Sequence, residues 1–172
     1  LGYLSHQAGT CGLHVHVSRA AFGDTPEKQD AVIARILYFF EKHWEELLKF
    51  SRRTQAQLNR WASRYGYKDQ PQEILDHAKK GCHAGRYTCV NLTNDDTIEF
   101  RIFRGTLKYN TLIATLQLID KICDVALFLS DEELKAMSWT TFVSSCQAPE
   151  LIQYLKERQL YVNEPVNTEE EV

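Results

Sequence analysis

Two short segments in which polar and apolar residues alternate constrain the fold of this chain most strongly. Residues 13–18 run Leu-His-Val-His-Val-Ser, and residues 98–102 run Ile-Glu-Phe-Arg-Ile. Successive side chains of a β-strand point to opposite faces, so His14, His16 and Ser18 share one face and Glu99 and Arg101 share another. Each segment is predicted to be a strand with an apolar face and a face that can bind metals, phosphates or carboxylates, although a plain solvated strand face has the same alternation.

A β-hairpin is predicted around the second segment. Residues 87–93 have a strand pattern, and Asn-Asp-Asp at 94–96 is typical of a turn. The alternation places Asn91 on the same face as Glu99 and Arg101, while Arg86 lies at the mouth of the hairpin, where parity does not fix its direction. The hairpin therefore adds an amide to the polar face and a guanidinium near its edge.

Helical spacing of apolar residues dominates the rest of the chain. One long amphipathic helix is predicted over residues 26–53 and another over 112–127, with short helices at 55–65, 72–79, 132–137 and 149–158. Strands with helices over their apolar face make an α+β fold with an antiparallel sheet. We expect residues 1–162 to form one domain and residues 163–172 to form a flexible acidic tail.

Composition limits the class of protein. Of 172 residues, 44% are apolar and 25% charged, which suits one globular domain, and no apolar run approaches the ~20 residues that span a bilayer. Neither a membrane segment nor a secretory signal is expected at the start of the chain. The five cysteines are odd in number and lack a Cys-x-x-Cys pair, which favours a reducing cytoplasm over a disulfide framework or a zinc site.

Charge gives no general attraction to nucleic acid, because the formal net charge is −3. Basic and aromatic residues do alternate between positions 52 and 68, and such a cluster could clamp a nucleotide. A solvated helix face with buried aromatic anchors has the same pattern and is the favoured interpretation. The cluster comprises Arg52, Arg53, Arg60, Trp61, Arg64, Tyr65, Tyr67 and Lys68.

The polar strand faces allow three kinds of function. A metal held by imidazole and carboxylate, with Arg101 beside it, suits phosphoryl transfer, because the cation and the guanidinium both neutralise developing charge. Alternatively, His14, His16 and Glu99 could form a two-histidine, one-carboxylate site for non-haem iron. A third interpretation is a non-catalytic module that binds an acidic partner. A nucleophilic pair of Cys11 and His14 lacks an orienting residue.

A family resemblance rests on three motifs in this order along the chain. Residues 11–18 are CGLHVHVS, residues 97–103 are TIEFRIF, and residues 105–107 are GTL. Together they resemble the amidoligase family, relatives of glutamine synthetase and glutamate–cysteine ligase in the carboxylate-amine ligase superfamily. The likeness extends over residues 10–128 and includes the segments 50–53 and 86–91. It implies a glutamine synthetase-like catalytic domain that uses ATP and Mg²⁺ or Mn²⁺ to form an amide bond through an acyl phosphate.

The resemblance also implies roles for individual residues. His14 and Glu99 resemble ligands of an active-site metal, and His16 and Ser18 resemble neighbours that contact ATP phosphates. Arg101 resembles the arginine that stabilises phosphoryl transfer. Weaker assignments to substrate or phosphate fall on Arg53, Arg86 and Asn91.

The chain departs from the superfamily pattern in one respect. Its relatives take further metal-binding carboxylates from a strand with closely spaced glutamates, and no such glutamates precede His14. We therefore expect the 172 residues to be the C-terminal part of the catalytic domain, which could be inactive alone. The expected partners are small-molecule or peptide carboxylates and amines, without nucleic acid or membrane; the acid, the amine and the oligomeric state are not apparent from the sequence.

Overall fold

The computed structural model describes residues 11–81 and 85–162. The predicted acidic tail at 163–172 lies outside the described residues. The elements follow one another as β1 (Gly12–Ser18), a 3-10 turn (Arg19–Phe22), α1 (Pro26–Lys42), α2 (Trp44–Ser51), α3 (Gln55–Trp61), α4 (Pro71–Lys79), β2 (Val90–Asn91), β3 (Thr97–Arg104), α5 (Tyr109–Phe128), α6 (Asp131–Ala136), α7 (Trp139–Ser144) and α8 (Pro149–Glu157).

The three strands form one antiparallel sheet in the order β1-β3-β2. His16 and Asn91 are both paired with Glu99, from opposite sides of the central strand. Near the start of β1, Leu13 pairs with Phe103 and Val15 with Phe100. Two residues of β3 consequently oppose the single residue His14, which is the arrangement of a β-bulge.

The helices cover the apolar face of the sheet. Phe40 of α1 lies 5.6 Å from Phe100 of β3, and Phe50 of α2 lies 6.0 Å from Phe103, measured between ring centroids. All four rings are almost fully buried, and α5 packs against α1 and α8. The predicted α+β class, with helices on one face of an antiparallel sheet, is confirmed.

The first long helix differs from its prediction. The sequence predicts a continuous helix over residues 26–53, whereas the structure has two helices that meet at His43, where φ is −111° and ψ is 31°. No proline or glycine lies at this break, and both residues beside it make contacts with segments remote in the chain. The Lys42 ammonium is bound by the carbonyls of Leu134, Lys135 and Met137, and the His43 ring packs on Phe39 and Trp139.

The first strand of the predicted hairpin is also shorter than expected. Only Val90 and Asn91 form β2, because the preceding residues pair with another segment. The Ser63 amide donates to the Tyr87 carbonyl, and the Cys89 amide donates to the Ser63 carbonyl, both at 2.8 Å. The turn at 94–96 and the antiparallel pairing are as predicted.

The short helices predicted from spacing are present with ends shifted by a few residues, and α7 was not predicted. Ser138 caps α7 by accepting a hydrogen bond from the Thr141 amide at 3.1 Å. Among the described helices, none combines the length and apolarity needed to cross a membrane.

Candidate functional site

The polar face of the sheet brings together the side chains that the alternation places there. His16, Glu99 and Asn91 stand side by side across the three strands because of the strand register. The Asn91 amide donates to Glu99 Oε2 at 2.8 Å. Asn91 is itself held by Thr93, whose main-chain amide and hydroxyl both donate to Asn91 Oδ1.

Glu99 is the centre of this cluster, and its residue is only 6% exposed. Its Oε1 lies 2.9 Å from Arg101 Nη1, 2.9 Å from His14 Nδ1 and 3.6 Å from His16 Nε2. His16 also contacts the Thr97 hydroxyl through Nδ1 at 3.1 Å. A buried carboxylate is stable in this position because it is both paired and hydrogen-bonded.

The two central groups both favour the deprotonated form at neutral pH, which leaves Glu99 charged and His14 neutral. Burial alone would raise the pKa of Glu99, but the hydrogen bond from Asn91 and the charge of Arg101 outweigh it, so the pKa is lowered. Burial and then Arg101 lower the pKa of His14, against the attraction of Glu99. A neutral His14 next to an ionised Glu99 donates its Nδ1 proton to the carboxylate, which leaves a lone pair on Nε2.

Arg53 reaches the sheet from the end of α2. Arg52 ends that helix in the left-handed conformation, with φ of 61°, and the Ser51 hydroxyl accepts a hydrogen bond from the Arg53 amide at 3.1 Å. The Arg53 guanidinium then donates to the carbonyls of Arg101 and Cys11 at 3.4 and 3.3 Å. Burial, followed by the charges of Arg101 and Arg104, lowers its pKa.

Gly12 makes room for this approach. A Cβ at position 12 would lie 2.5 Å from Arg53 Nη2 and 3.1 Å from His14 Nε2. Both distances are shorter than ordinary van der Waals contact. The glycine therefore allows Arg53 and the lone pair of His14 to lie side by side.

These groups line a cleft of about 210 Å³. All three predicted catalytic arginines border it, together with His14, Gly12, Trp61 and Tyr87. The Arg86 guanidinium donates to the Tyr87 hydroxyl at 3.0 Å, which lowers the pKa of Tyr87, and Arg101 lies 5.6 Å from the Tyr87 ring. Three guanidiniums around one small space favour an anionic group such as a phosphate or a carboxylate.

One buried donor in this region is unsatisfied. Arg101 Nε is buried and lacks a hydrogen-bond partner among the described residues. A buried unpaired donor costs about 1–3 kcal/mol and calls for an explanation. An anion bound in the cleft that Arg101 lines is one source of the missing acceptor.

Ser18 is the predicted residue with the most ordinary position. It pairs with Thr97 at the far end of β1, and its hydroxyl oxygen accepts a hydrogen bond from the Ala20 amide at 3.3 Å, which caps the 3-10 turn. Ser18 does not line the cleft of the three arginines, so its predicted contact with ATP stays a prediction.

The donor set limits what metal this face could hold. Within residues 11–81 and 85–162, no group of three or more His, Cys, Asp or Glu side chains has the geometry to hold a metal ion. His14 and Glu99 are hydrogen-bonded to each other through Glu99 Oε1, and Arg101 binds the same oxygen. These residues fit a metal only together with further ligands, and the same contacts give the two-histidine iron site no support.

Two aromatic residues of the cleft were not predicted to belong to it. Trp61 was named only in the basic and aromatic cluster at 52–68, whose favoured interpretation was a helix face, and Tyr87 only as part of a predicted strand. Tyr87 orients Arg86 and lies under Arg101, and Trp61 packs edge-on against Tyr87 at 5.6 Å. Parity over the predicted strand 87–93 does put Tyr87 on the face of Asn91, but an aromatic residue at the start of a strand does not by itself indicate a ligand site. Tyr87 also follows Arg86 directly in a segment shared with the family resemblance.

A larger cavity lies elsewhere and contains none of the predicted site residues. It has a volume of about 630 Å³ and a mainly apolar wall that includes Val125, Phe128, Leu129 and Met137. This cavity is larger than the cleft of the three arginines, but convergent polar groups are found instead in the small cleft. The chemistry therefore points to the cleft.

Comparison with known proteins identifies the family of the chain. A family model described as "Putative amidoligase enzyme" matches residues 3–123, which is more than half of the chain and includes all eight predicted site residues. No curated protein and no solved structure matches the chain. The chain belongs to the amidoligase family that this model describes.

Proposed function

We propose that the protein is an ATP-dependent carboxylate-amine ligase that forms an amide bond through an acyl phosphate. The observation that supports this most directly is the cleft in which Arg53, Arg86 and Arg101 converge beside His14, above a buried ionised Glu99. Membership of the amidoligase family supports a ligase. A cleft of about 210 Å³ suits one phosphoryl or carboxylate group rather than a whole nucleotide.

In the proposed reaction, a substrate carboxylate oxygen attacks the γ-phosphorus of ATP, and the bond to ADP breaks. An amine nitrogen then attacks the acyl carbon, phosphate leaves, and the nitrogen loses a proton. Arg101, Arg53 and Arg86 would neutralise charge on the transferred phosphoryl group, since a guanidinium can hold two oxygens at once. Arg101 is well placed for this because Glu99 and the Tyr87 ring fix its orientation.

The remaining polar residues are proposed to contact the nucleotide. His16, Ser18 and Asn91 lie along the polar face or its end, where their side chains could meet ATP phosphates. Asn91 also holds Glu99 in place through its amide. Its loss would therefore affect both nucleotide binding and the orientation of the carboxylate.

Mg²⁺ or Mn²⁺ is the proposed companion of ATP. His14 and Glu99 are the residues of this chain that would contribute ligands, and a complete site needs ligands beyond the described residues. The metal would supply charge neutralisation on the phosphates. No step assigned above to an arginine depends on it.

The proposal extends to the fold, the substrates and the location. The fold would be the C-terminal part of a glutamine synthetase-like catalytic domain. The substrates would be a small-molecule or peptide carboxylate and an amine, with neither nucleic acid nor membrane as a partner. The cytoplasm is the proposed location, consistent with the free thiols of Cys11, Cys89, Cys123 and Cys146.

The test is phosphate release by the natural protein that contains this chain, with ATP, Mg²⁺ and pools of carboxylic acids and amines. Release that requires both an acid and an amine, and that disappears in Glu99→Ala, supports the proposal. Glu73→Ala is the matched control, because Glu73 is exposed on α4. No release, together with no Mg²⁺-dependent binding of ATP, would overturn it.

A further inference from the structure

A second basic depression adjoins the cleft of the three arginines. It has a volume of about 720 Å³ and is lined by Glu45, Leu48, Lys49, Arg52, Arg53, Thr54, Arg104 and Arg158. We call it the basic groove. Arg53 borders both the groove and the cleft, so the two spaces meet at one guanidinium.

Main-chain carbonyls hold several cations of the basic groove in place. Arg52 donates to the Arg104 carbonyl at 3.0 Å, and Arg158 donates to the Lys49 carbonyl at 2.7 and 3.1 Å. The Lys49 ammonium donates to the Gln159 carbonyl at 3.4 Å. A carbonyl orients a cation without cancelling its charge, so these contacts preserve a positive surface.

Carboxylates compensate little of this charge. Among the ion pairs of the described residues, none involves Lys49, Arg52, Arg53 or Arg158. The lining contains five cations and one carboxylate, Glu45, although the whole chain has a formal net charge of −3. The basic groove is thus a local positive region on a protein that is acidic overall, as expected of a site that attracts an anion.

The occupant favoured by these observations is a chain of carboxylates. The groove is lined by arginines that can bind carboxylates through two hydrogen bonds, and no aromatic side chain is found in its lining to stack a nucleobase. Its volume of about 720 Å³ lies within the range of about 300–1,000 Å³ of pockets that hold a drug-sized ligand.

We propose that the basic groove binds the acidic part of a polycarboxylate substrate, such as an acidic peptide, that is remote from the reacting carboxylate. This inference rests on the proposed function for the reacting end: one carboxylate enters the cleft, and Arg53 stands where the substrate passes from the groove to the cleft. The acid substrate is then a peptide or oligomer with several carboxylates, rather than a simple monocarboxylic acid.

Binding of fluorescently labelled hexaglutamate, measured by anisotropy without ATP or metal, tests the groove directly. We expect hexaglutamate to bind at least about ten-fold more tightly than hexaglutamine, with an affinity that falls as NaCl is raised from about 50 to 300 mM. The double variant Lys49→Gln/Arg158→Gln should lose about ten-fold in affinity.

A matched control removes two positive charges elsewhere. Lys28→Gln/Lys79→Gln changes the net charge equally, and these lysines pair with Asp24 and Asp30 outside both spaces. This control should keep the affinity of the parent. Circular dichroism of the groove variant establishes that it is folded. Unchanged affinity of the folded variant for hexaglutamate would overturn the proposal. Equal binding of hexaglutamate and hexaglutamine, or tighter binding of an oligothymidylate, would also overturn it.

The measurement separates this proposal from the proposed function. Hexaglutamate binding without any ATP-dependent phosphate release would support the groove and count against the ligase. Phosphate release without hexaglutamate binding would support the ligase and count against the groove. Where both are present, Lys49→Gln/Arg158→Gln should raise the KM for hexaglutamate about ten-fold and leave kcat unchanged, because the groove contacts a non-reacting part of the substrate.

Discussion

Two regions of this molecule use the same three residue types, each around a buried glutamate, for different ends. We call the ion pair of Glu41 and Arg64, with His43 two residues further along the chain, the helix-side cluster. The sheet-side cluster consists of Glu99, His14 and Arg101, which meet at one carboxylate oxygen. In each, a buried carboxylate binds an arginine closely, at 2.7 Å for Glu41 with Arg64 and 2.9 Å for Glu99 with Arg101. In each, burial lowers the pKa of the histidine, and one buried nitrogen lacks a partner among the described residues.

The difference lies in what surrounds the remaining polar atoms. The Glu41 carboxylate accepts hydrogen bonds from the Arg64 guanidinium and from the Tyr65 amide, while the His43 ring packs against Phe39 and Trp139. The sheet-side cluster opens onto a cleft with two further arginines. Burial, an ion pair and a shifted pKa therefore do not identify a functional site by themselves; access to a space that can hold a ligand does.

The largest expected effect is on stability, in the helix-side cluster. Glu41→Gln removes the charge that binds Arg64, and we expect the free energy of unfolding to fall by about 3 kcal/mol. This is the lower end of the ~3–5 kcal/mol seen when a buried pair is broken, because the Arg64 side chain is 35% exposed and can reach water. Urea unfolding measures it. A loss below about 1 kcal/mol would show that the pair of Glu41 and Arg64 contributes little to stability, and the helix-side cluster would then have no structural role.

Glu99→Gln should lower activity as well as stability. The amide keeps the shape of the carboxylate but not the charge that fixes Arg101, so we expect ATP-dependent phosphate release to fall about 100-fold, or about 2.7 kcal/mol. Its unfolding free energy should also fall, because the Arg101 side chain left without its carboxylate is only 11% exposed, whereas Glu41→Gln should affect stability alone. Activity retained by a folded Glu99→Gln would contradict the distinction between the clusters.

The pH dependence of stability should trace the buried histidine of the helix-side cluster. Burial, and then Lys42, lower the pKa of His43 to about 4 from an ordinary value of 6.5. Between these values the unfolded chain binds the proton and the folded chain resists it, so stability falls as pH falls. We expect about 2 kcal/mol of this loss between pH 7 and pH 5 to come from His43.

Replacing His43 by leucine isolates that contribution. His43→Leu has no proton to bind, so its unfolding free energy should fall by about 2 kcal/mol less than that of the parent over the same pH interval. Denaturant unfolding at pH 7, 6 and 5 measures the two slopes. Parallel curves for the parent and the variant would show that His43 titrates normally in the folded protein.

The sequence predicts the sheet-side cluster better than the helix-side one, for a physical reason. Strand parity is local and strict, so the alternation alone places His14 and His16 on one face of their strand and Glu99 on the polar face of its own. The predicted hairpin in turn places Asn91 on the same face as Glu99. The α+β class followed from the same alternation together with helical spacing.

Long-range contacts set what the sequence did not predict. Arg64 was interpreted as part of a solvated helix face, yet α3 ends at Trp61 and Arg64 reaches Glu41, 23 residues earlier. Beside the break at His43, the Lys42 ammonium binds carbonyls more than ninety residues later in the chain. Neither has a signature in local spacing, and the metal and nucleotide roles inferred from resemblance stay predictions.

The smallest expected effect is also the most specific to the sheet-side cluster. Gly12→Ala adds one methyl group, which would meet Arg53 Nη2 at 2.5 Å and His14 Nε2 at 3.1 Å. Because the guanidinium is the far end of a flexible side chain, it can move away, and the unfolding free energy should change by less than about 1 kcal/mol.

The displaced Arg53 would lose its hydrogen bond to the Cys11 carbonyl and its place in the cleft. We expect about a ten-fold fall in ATP-dependent phosphate release, measured beside the parent protein, with urea unfolding of both proteins to establish that the variant is folded. Full activity of a folded Gly12→Ala would show that Arg53 acts only in packing, and the cleft would then depend on Arg86 and Arg101 alone.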